Sequence, residues 1–265
     1  MGHLLREQDG AVLRLTLNQP EKKNAFSPEM VGDLRAAIDA ACTDDDVRVL
    51  VITGAGDAFS AGGDLSRRAR EVADGGTPSA FDRMNRLQQG THRLARSIEM
   101  LDKPLIAAVN GAAAGAGMDL ALMCDIRFAS PNARFCEAYI RVGLIPGNGG
   151  CHFLPRLIGT GRALELLWTG DWLSAEDAER MGLVNRLFEA ERLIDETLAF
   201  AHRLAGGPPI QQRLIKRLVR QGERSDLKGS LEYTAAAMAI AQGTADYREA
   251  IAAYNEKRPG RFEGH

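Results

Sequence analysis

Apolar and polar positions follow two periods along this chain and divide it into a strand-and-helix part and a helical tail. Residues 12–18 alternate as in a half-buried strand, whereas 47–53 and 105–109 are short apolar runs typical of buried strands. Between the first two strands, Ser27 and Pro28 are a cap and a first helical residue. The helix that follows has an apolar stripe of Met30, Leu34, Ala37, Ile38 and Ala41. Strand, helix and strand in this order predict an α/β fold.

The rest of the chain continues this alternation and then becomes helical. The further predicted elements are a long helix over 80–101, a helix from Met118, a strand over 126–129, a short helix over 161–168, a next helix capped by Ser174, and tail helices over 191–205, 208–221 and 227–256. The charged, glycine-containing stretch 67–79 is predicted to be a mobile loop. We expect a core over residues 1–200 and a C-terminal helical region over 201–265.

Composition narrows the class of protein. The chain has 265 residues, 45% of them hydrophobic, and a formal net charge of -2. These values are typical of a soluble globular protein and argue against a nucleic-acid partner or a basic membrane-surface protein. No run of eighteen apolar residues occurs, and Arg6 and Glu7 come too early for a signal peptide.

Cysteines and histidines do not form a metal or redox motif. The four cysteines are dispersed without C-x-x-C spacing, which predicts reduced thiols in a cytoplasmic protein. The five histidines show no ligand spacing, so no metal site is expected. Cys151 and His152 are neighbours, but adjacent residues of an extended segment point to opposite faces and do not make a nucleophile and its base.

The most unusual stretch follows the buried strand 105–109. From Gly111 to Gly117 no residue is larger than alanine, and a helical sequence follows. Backbone N–H groups at such a helix start attract negative charge. The stretch lacks the Lys-Ser/Thr of a phosphate loop and the third glycine of a dinucleotide fingerprint. It therefore predicts either tight helix packing or an oxyanion hole, in which N–H groups stabilise the charge developing on a carbonyl oxygen.

A second loop favours the oxyanion hole. The segment Phe59 to Leu65 reads F-S-A-G-G-D-L, and N-G-A-A-A-G-A-G-M-D-L-A begins at Asn110. Together the two motifs resemble those of the crotonase family, also called the enoyl-CoA hydratase/isomerase family, over about residues 12–261. The resemblance implies an α/β fold of repeated ββα units forming a spiral core. It also implies a thioester oxygen bound by the N–H groups of Ala61 and Ala116, and a tail that assembles a homotrimer or a homohexamer.

The resemblance also implies where coenzyme A would bind. CoA carries several phosphate charges, which a chain of net charge -2 has to meet locally. The positions that match the family's CoA loops are Lys23, Asn24, Ala25, Ala61, Gly62, Gly63, Asp64, Leu65 and, at the C-terminus, Lys257. For each charged residue the alternative is a solvated surface charge.

Two positions decide the reaction. Hydratases of the family use two glutamates, and the matching residues here are Asp119 and Tyr139. Asp119 lies one turn after Ala116 on the same face, where it is either catalytic or a complement to the helix dipole. Tyr139 is a poor base and either donates a proton, holds a water or walls the acyl pocket. Glu137 is the nearest remaining carboxylate, and its orientation is left open.

The leading hypothesis is an enzyme that hydrates a 2-enoyl-CoA reversibly, with an acyl-CoA substrate and no other cofactor. Alternatives of the same fold are double-bond isomerisation, decarboxylation and thioester hydrolysis, and a further one is a non-catalytic acyl-CoA-binding subunit. Some isomerases of the family carry an aspartate at the position of Gly147, which this chain lacks. A serine hydrolase is disfavoured because no G-x-S-x-G occurs and Ser60 has no evident histidine partner.

Overall fold

A six-stranded sheet forms the centre of the computed structural model, which describes residues 2–65, 69 and 78–265. Its strands are β1 (Leu4–Asp9), β2 (Val12–Leu17), β3 (Val49–Gly54), β5 (Leu105–Val109), β7 (Ile126–Ala129) and β10 (Arg186–Leu187). Their order is β1-β2-β3-β5-β7-β10. β1 pairs antiparallel with β2, and the other neighbours are parallel. The predicted strand 126–129 has the bounds of β7, and 105–109 has those of β5.

A second, smaller sheet lies at the ends of these strands. It contains β4 (Ala58–Ser60), β6 (Ala112–Ala114), β8 (Arg134–Cys136) and β9 (Leu173–Ser174), in the order β4-β6-β8-β9. β4, β6 and β8 are parallel, and β9 is antiparallel to β8. The first three come directly after β3, β5 and β7, so the chain crosses from the large sheet to the small one three times. This is the repeated ββα arrangement expected from the sequence, although the short strands of the second sheet were not predicted.

Eleven helices complete the described chain. They are α1 (Pro28–Thr43), α2 (Ala80–Gln89), α3 (Thr91–Met100), α4 (Ala116–Met123), α5 (Gly150–Ile158), α6 (Thr160–Thr169), α7 (Ala175–Arg180), α8 (Leu193–Ala205), α9 (Pro209–Gly222), α10 (Leu227–Gly243) and α11 (Ala245–Glu256). Short 3-10 helices lie at Pro20–Lys22 and Ala138–Val142. As predicted, Ser27 caps α1: its side chain accepts a hydrogen bond from the Met30 N–H. The predicted stripe of α1 is buried.

The large sheet separates two hydrophobic cores. Alternate strand residues point to opposite faces, so Leu50 and Ile52 join the larger core, and Val49 and Val51 join the smaller one. Helices α1, α3 and α4 contribute to the larger core. The smaller core is covered by α8. With one face under α8 and the other under the remaining helices, the parallel strands are buried on both sides, as their continuous apolar runs predicted.

Two predicted helices are wrong in extent because each is interrupted by a residue that starts a new helix. The helix predicted over 80–101 ends at Gln89, and Gly90 separates it from α3; Leu94 and Ile98 of α3 are buried, whereas α2 buries no residue. The tail helix predicted over 227–256 breaks at Thr244, whose side chain caps α11 by accepting from the Tyr247 N–H. Both breaks follow local backbone chemistry that helical periodicity does not report.

The tail is attached to the core by α9 and extended by α10 and α11. The predicted boundary at residue 200 falls inside α8, which packs on the sheet through Leu193, Ala201 and Ala205. The predicted mobile loop 67–79 lies almost wholly outside the described residues. Within the described chain, no helix is both long and apolar enough to span a bilayer.

Candidate active site

Three successive backbone N–H groups follow β4, and only the third is unpaired among the described residues. The Ala61 N–H donates to the Lys23 carbonyl at 2.8 Å, and the Gly62 N–H donates to the Ser60 hydroxyl at 3.1 Å. The Gly63 N–H has no partner in the described chain. The prediction that Ala61 is an oxyanion donor is therefore wrong, because the parallel run of this loop beside residues 23–26 consumes its N–H. Gly63 is the donor that this loop presents.

The second loop meets the first at the start of α4. A side chain at Gly62 would collide with the Ala114 carbonyl at 2.3 Å and approach the Ala116 nitrogen at 3.0 Å, and one at Gly117 would meet the Ser60 carbonyl at 2.4 Å. Gly115 turns the chain from β6 into α4 at φ 48° and ψ -119°, a conformation that only glycine adopts readily. The small residues thus serve close packing and loop placement together, so the two readings of this stretch are not exclusive.

The first turn of α4 is buried and has no side-chain cap. The Ala116 N–H, at the first helical position, has no partner in the described chain. Because the loop of Gly62 lies against it, the Gly63 and Ala116 N–H groups follow the carboxyl ends of the neighbouring parallel strands β4 and β6, the usual place for a ligand in α/β sheets. Negative charge near these groups is favoured by the helix dipole.

Asp119 lies one turn along α4 and bonds to Tyr139. The Tyr139 hydroxyl donates to Asp119 Oδ2 and accepts a hydrogen bond from the Asn148 amide at 2.9 Å. Asp119 is fully buried, and its other oxygen, Oδ1, has no hydrogen-bond partner in the part of the chain described. The ring of Tyr139 packs beside Gly115 and Gly147. The Tyr139 hydroxyl therefore both donates and accepts a hydrogen bond, so Tyr139 does more than line the pocket with its ring.

Glu137 brings a second carboxyl group to the same place. It follows β8 directly, is 1% exposed, and neither of its carboxyl oxygens has a partner among the described residues. A side chain at Gly150 would meet Glu137 Oε1 at 2.5 Å and Asp119 Oδ1 at 2.7 Å, so both oxygens face one point beside Gly150. The orientation left open by the sequence is thus settled: Glu137 points at Asp119, not away from it.

Burial without a counter-ion determines the electrostatics of the site. Burial raises the pKa of Asp119 above its usual range, and the hydrogen bond from Tyr139 lowers it in part. Burial also raises the pKa of Glu137, and the Asp119 charge raises it further. The pKa of Tyr139 is raised by burial and then by Asp119, so its hydroxyl stays neutral. The charge of Asp119 therefore opposes ionisation of Glu137, in addition to the effect of burial.

The predicted CoA residues divide into internal and exposed groups. The Asn24 side chain is fully buried; its amide donates to the Ala55 and Ala58 carbonyls, both at 2.8 Å, and its oxygen accepts from the Gln19 N–H at 2.9 Å. Its side chain therefore shapes the loop, and CoA binding at Asn24 stays a prediction. Lys23 is exposed and pairs with Asp57. CoA binding through Lys23 stays a prediction.

The other predicted positions are placed as follows. Ala25 is buried, Gly63 and Asp64 are half-buried, and Leu65 is exposed. Lys257 ends α11 on the tail and is exposed. Ser60 is buried and its hydroxyl donates to the Asn24 carbonyl at 2.8 Å, which leaves it unsuited to nucleophilic attack. Burial and the two nearby carboxyl groups raise the pKa of Cys151, so its thiol is not activated either.

Fold and site together give an α/β chain in which two unpaired backbone N–H groups and two buried carboxyl groups follow the ends of parallel strands. The chain belongs to the enoyl-CoA hydratase/isomerase family, whose model matches residues 7–265. The predictions of family, of fold class and of an acyl-CoA enzyme of the hydratase/isomerase type are confirmed.

Individual relatives cover the whole chain. It is 38% identical to 1,2-epoxyphenylacetyl-CoA isomerase of Escherichia coli, with 100% of this chain and 99% of the relative covered. It is 35% identical to crotonyl-CoA hydratase of Syntrophomonas wolfei, over 98% of this chain and 97% of the relative. Among solved structures, an enoyl-CoA hydratase from Bacillus anthracis superposes with a TM-score of 0.92 at 31% identity, covering 99% of this chain and 100% of that one.

Sequence reasoning missed three members of the site. Gly63 was named for CoA binding and not as an oxyanion donor, because N–H availability depends on which carbonyl lies opposite. Asn148 was not a candidate, because its role as a hydrogen-bond donor depends on the Tyr139 hydroxyl beside it. Thr91 lies inside the long helix that was predicted, and only the break at Gly90 places it at a helix start.

Proposed function

We propose that this protein reversibly hydrates a 2-enoyl-CoA, with Asp119 as the base and Glu137 as the acid. The observation that carries the proposal is the pair of carboxyl oxygens, Asp119 Oδ1 and Glu137 Oε1, that face one point beside Gly150. Hydration needs a group that takes a proton from water and a group that gives one to carbon. A carboxyl pair sharing a single proton supplies both.

The environment assigns the two roles. The Tyr139 hydroxyl donates to Asp119 and favours its charged form, whereas Glu137 has no donor in the described chain and faces the Asp119 charge. Asp119 is accordingly the ionised member and Glu137 the protonated one. Asp119 takes a proton from water as the water oxygen bonds to C3 of the enoyl group, and Glu137 delivers its proton to C2.

The thioester oxygen gains negative charge when C3 is attacked. We assign its stabilisation to the N–H groups of Gly63 and Ala116, the unpaired backbone donors of the two facing loops in the described chain. Each such donor is worth about 2.7 to 4 kcal/mol in acyl chemistry. A CoA thioester is the substrate, with no further cofactor, and the exposed Lys23 and Lys257 remain candidates for its phosphate groups.

Isomerisation is the second candidate, and the engaged Tyr139 hydroxyl favours it. Moving a double bond needs one group that removes and returns a proton, which Asp119 with its Tyr139 partner provides alone. The E. coli relative named above is an isomerase. This reaction would not require Glu137, and that requirement separates the two candidates.

The test is hydration of crotonyl-CoA, followed by loss of the conjugated enoyl absorbance, for the wild type, Asp119→Asn, Glu137→Gln and the surface control Glu165→Gln. We expect both site variants to lose about 10²- to 10⁴-fold in kcat, the usual worth of a general acid or base. Calorimetric binding of a non-hydrolysable thioester should be retained. If Glu137→Gln hydrated crotonyl-CoA at the wild-type rate, the proposed pairing of Asp119 as base with Glu137 as acid would be wrong. If that variant converted a 3-enoyl-CoA but hydrated no crotonyl-CoA, the isomerase would be established.

The tail supports a proposal about assembly. Helices α10 and α11 expose large apolar residues, namely Leu227, Leu231, Tyr233, Met238, Ile240, Ile251 and Tyr254. An apolar surface of this extent is typical of a subunit interface. We infer a homotrimer or homohexamer in the cytoplasm, without a membrane or nucleic-acid partner. Light scattering on the purified protein distinguishes these states from a monomer, which would contradict the inference.

A further inference from the structure

A line of hydrogen bonds leads from the start of α3 to the Asp119 carboxylate. Thr91 Oγ1 bonds to Asn148 Oδ1, Asn148 Nδ2 lies 2.9 Å from the Tyr139 hydroxyl, and that hydroxyl bonds to Asp119 Oδ2. Asn148 is 8% exposed, so these bonds lie largely out of water. Four side chains from four separate segments therefore meet in one connected line.

The chemistry of the groups gives the line a single direction. An ionised carboxylate only accepts, so the Tyr139 hydroxyl has to donate to Asp119. That hydroxyl has one proton, and its contact with Asn148 must then be an acceptance from the amide Nδ2. The amide oxygen is left facing Thr91, whose hydroxyl donates to it. Every donor thus points towards Asp119, and donors that point the same way strengthen one another.

A second contact attaches the same helix start to the turn that carries Asn148. The His92 ring nitrogen Nε2 lies 2.7 Å from the Gly147 carbonyl oxygen. Gly90, which ends α2, lets α3 begin at Thr91, so both contacts depend on the break between the two helices. On the other side, the Tyr139 ring lies beside Gly147 and Gly115.

We propose that Thr91 and Asn148 are positioning residues that hold the Tyr139 hydroxyl on Asp119 and thereby keep Asp119 the ionised member of the carboxyl pair. The assignment rests on the proposed hydration, in which Asp119 is the base. Thr91 acts on Asp119 through Asn148 and Tyr139, whereas Asn148 acts through Tyr139 and also lowers the pKa of the Asp119 carboxyl group by its own proximity.

The proposal predicts how Asp119 titrates when the line is cut. Removing a donor weakens the hydrogen bond that favours the carboxylate, so the midpoint of Asp119 moves to higher pH. We expect an upward shift of about half a pH unit in Thr91→Val, which lowers the ionised fraction about threefold on the acid side. Asn148→Ala should shift it further, and Thr91→Ser, which keeps the hydroxyl, should restore the wild-type midpoint.

The experiment has one readout that needs no activity and one that does. The first is the titration of ¹³C-labelled aspartate carboxyl groups by NMR in the free protein, with the Asp119 signal identified by its absence in Asp119→Asn. The second is the pH profile of kcat/KM for crotonyl-CoA, whose acid limb should move by the same amount. Thr160→Val is the matched control, because Thr160 also begins a helix directly after a glycine.

The outcomes are separable. Parallel shifts of the NMR midpoint and the acid limb, absent in Thr160→Val, support the positioning role. An unchanged Asp119 midpoint in both Thr91→Val and Asn148→Ala overturns it, and any loss of activity would then be structural. An NMR shift in a protein that hydrates no enoyl-CoA would leave the positioning role standing and reject the proposed reaction.

Discussion

Two acidic sites in this protein, a half-buried one at Asp125 and a fully buried one at Asp119 and Glu137, are built in opposite ways. Asp125 joins the tail to the core: its carboxylate pairs with Lys216 and with Arg220 of α9 and accepts from the Leu105 N–H at 2.8 Å. At the candidate active site, Asp119 Oδ2 accepts a hydrogen bond from the Tyr139 hydroxyl, and the Glu137 carboxyl oxygens have no partner in the described chain.

The difference in charge compensation distinguishes a structural site from a functional one. A buried charge costs several kcal/mol unless partners compensate it. Around Asp125 two cations and a backbone donor do so, and the result is a stable junction. Around Asp119 and Glu137 compensation is left incomplete, which keeps the pKa of Glu137 high and a proton available for transfer. Functional sites commonly retain such unfavourable electrostatics at the expense of stability.

The largest expected effect breaks the compensated site. Lys216→Met removes the principal partner of Asp125 and the donor to the Lys103 carbonyl at 2.7 Å. We expect the free energy of unfolding to fall by about 3 kcal/mol, near the lower end for a broken buried pair because Arg220 remains. Urea denaturation measures it. In the double variant Lys216→Met/Asp125→Asn the Asp125 charge is also removed, so much of the lost free energy of unfolding should be recovered. An equal loss in the single and the double variant would contradict the comparison.

A gain in stability is expected at the uncompensated site. In the folded protein the pKa of Glu137 is raised, so the folded state keeps a proton that the unfolded chain loses above about pH 4.3. Stability of the wild type therefore declines as pH rises from that value towards the folded pKa. Glu137→Gln lacks this decline and should be more stable than the wild type at pH 8 by about 1 to 3 kcal/mol, because each unit by which the folded pKa is raised corresponds to about 1.4 kcal/mol.

The pH dependence is the decisive part of that measurement. The two unfolding curves should converge near pH 4, where Glu137 is protonated in both states, and separate steadily above it. Thermal unfolding at five or six pH values in that interval is sufficient. A constant difference across the interval would mean that the titration of Glu137 is not linked to folding, and the contrast with Asp125 would lose its basis.

The smallest effect tests whether burial is the deciding variable. Arg217 lies one residue after Lys216 on α9 and pairs with Asp102, but its side chain is 64% exposed. Arg217→Met should cost no more than about 1 kcal/mol, because exposed pairs are screened by water. The same urea experiment gives the comparison directly. A loss as large as that of Lys216→Met would show that the charge, and not its burial, maintains the junction.

Much of the fold follows from local patterns. Four strands of the large sheet (β2, β3, β5 and β7), the capped start of α1 and the helix after Gly115 were predicted because apolar period and capping residues act within a few positions, whereas β1 and β10 were not predicted. The small sheet was not predicted, since three-residue strands such as β4 and β6 carry too few positions for a period. The single helix predicted over 80–101 failed for a related reason: helical spacing continues across Gly90, and the backbone break there is not periodic.

The site was predictable in its residue types and not in its connections. Asp119, Glu137 and Tyr139 were all candidates from their place in the motifs. That Tyr139 donates to Asp119, and that Glu137 faces it, depends on how β8 and α4 come together around Gly150. Ala61 was chosen over Gly63 because a motif gives positions, whereas a free N–H is the one that no neighbouring carbonyl accepts.

The sequence by itself determined the family, the parallel strands, the small-residue loops and the departure at Tyr139 from a two-glutamate pair. These are local or positional properties, and each can be identified from the side chains themselves. Only the tertiary structure decided which N–H groups are free, which carboxyl group keeps the proton, and that Thr91 and Asn148 reach Asp119 through Tyr139. Hydrogen-bond partners and burial are set by segments far apart in the chain, so they exist only once the fold has brought those segments together.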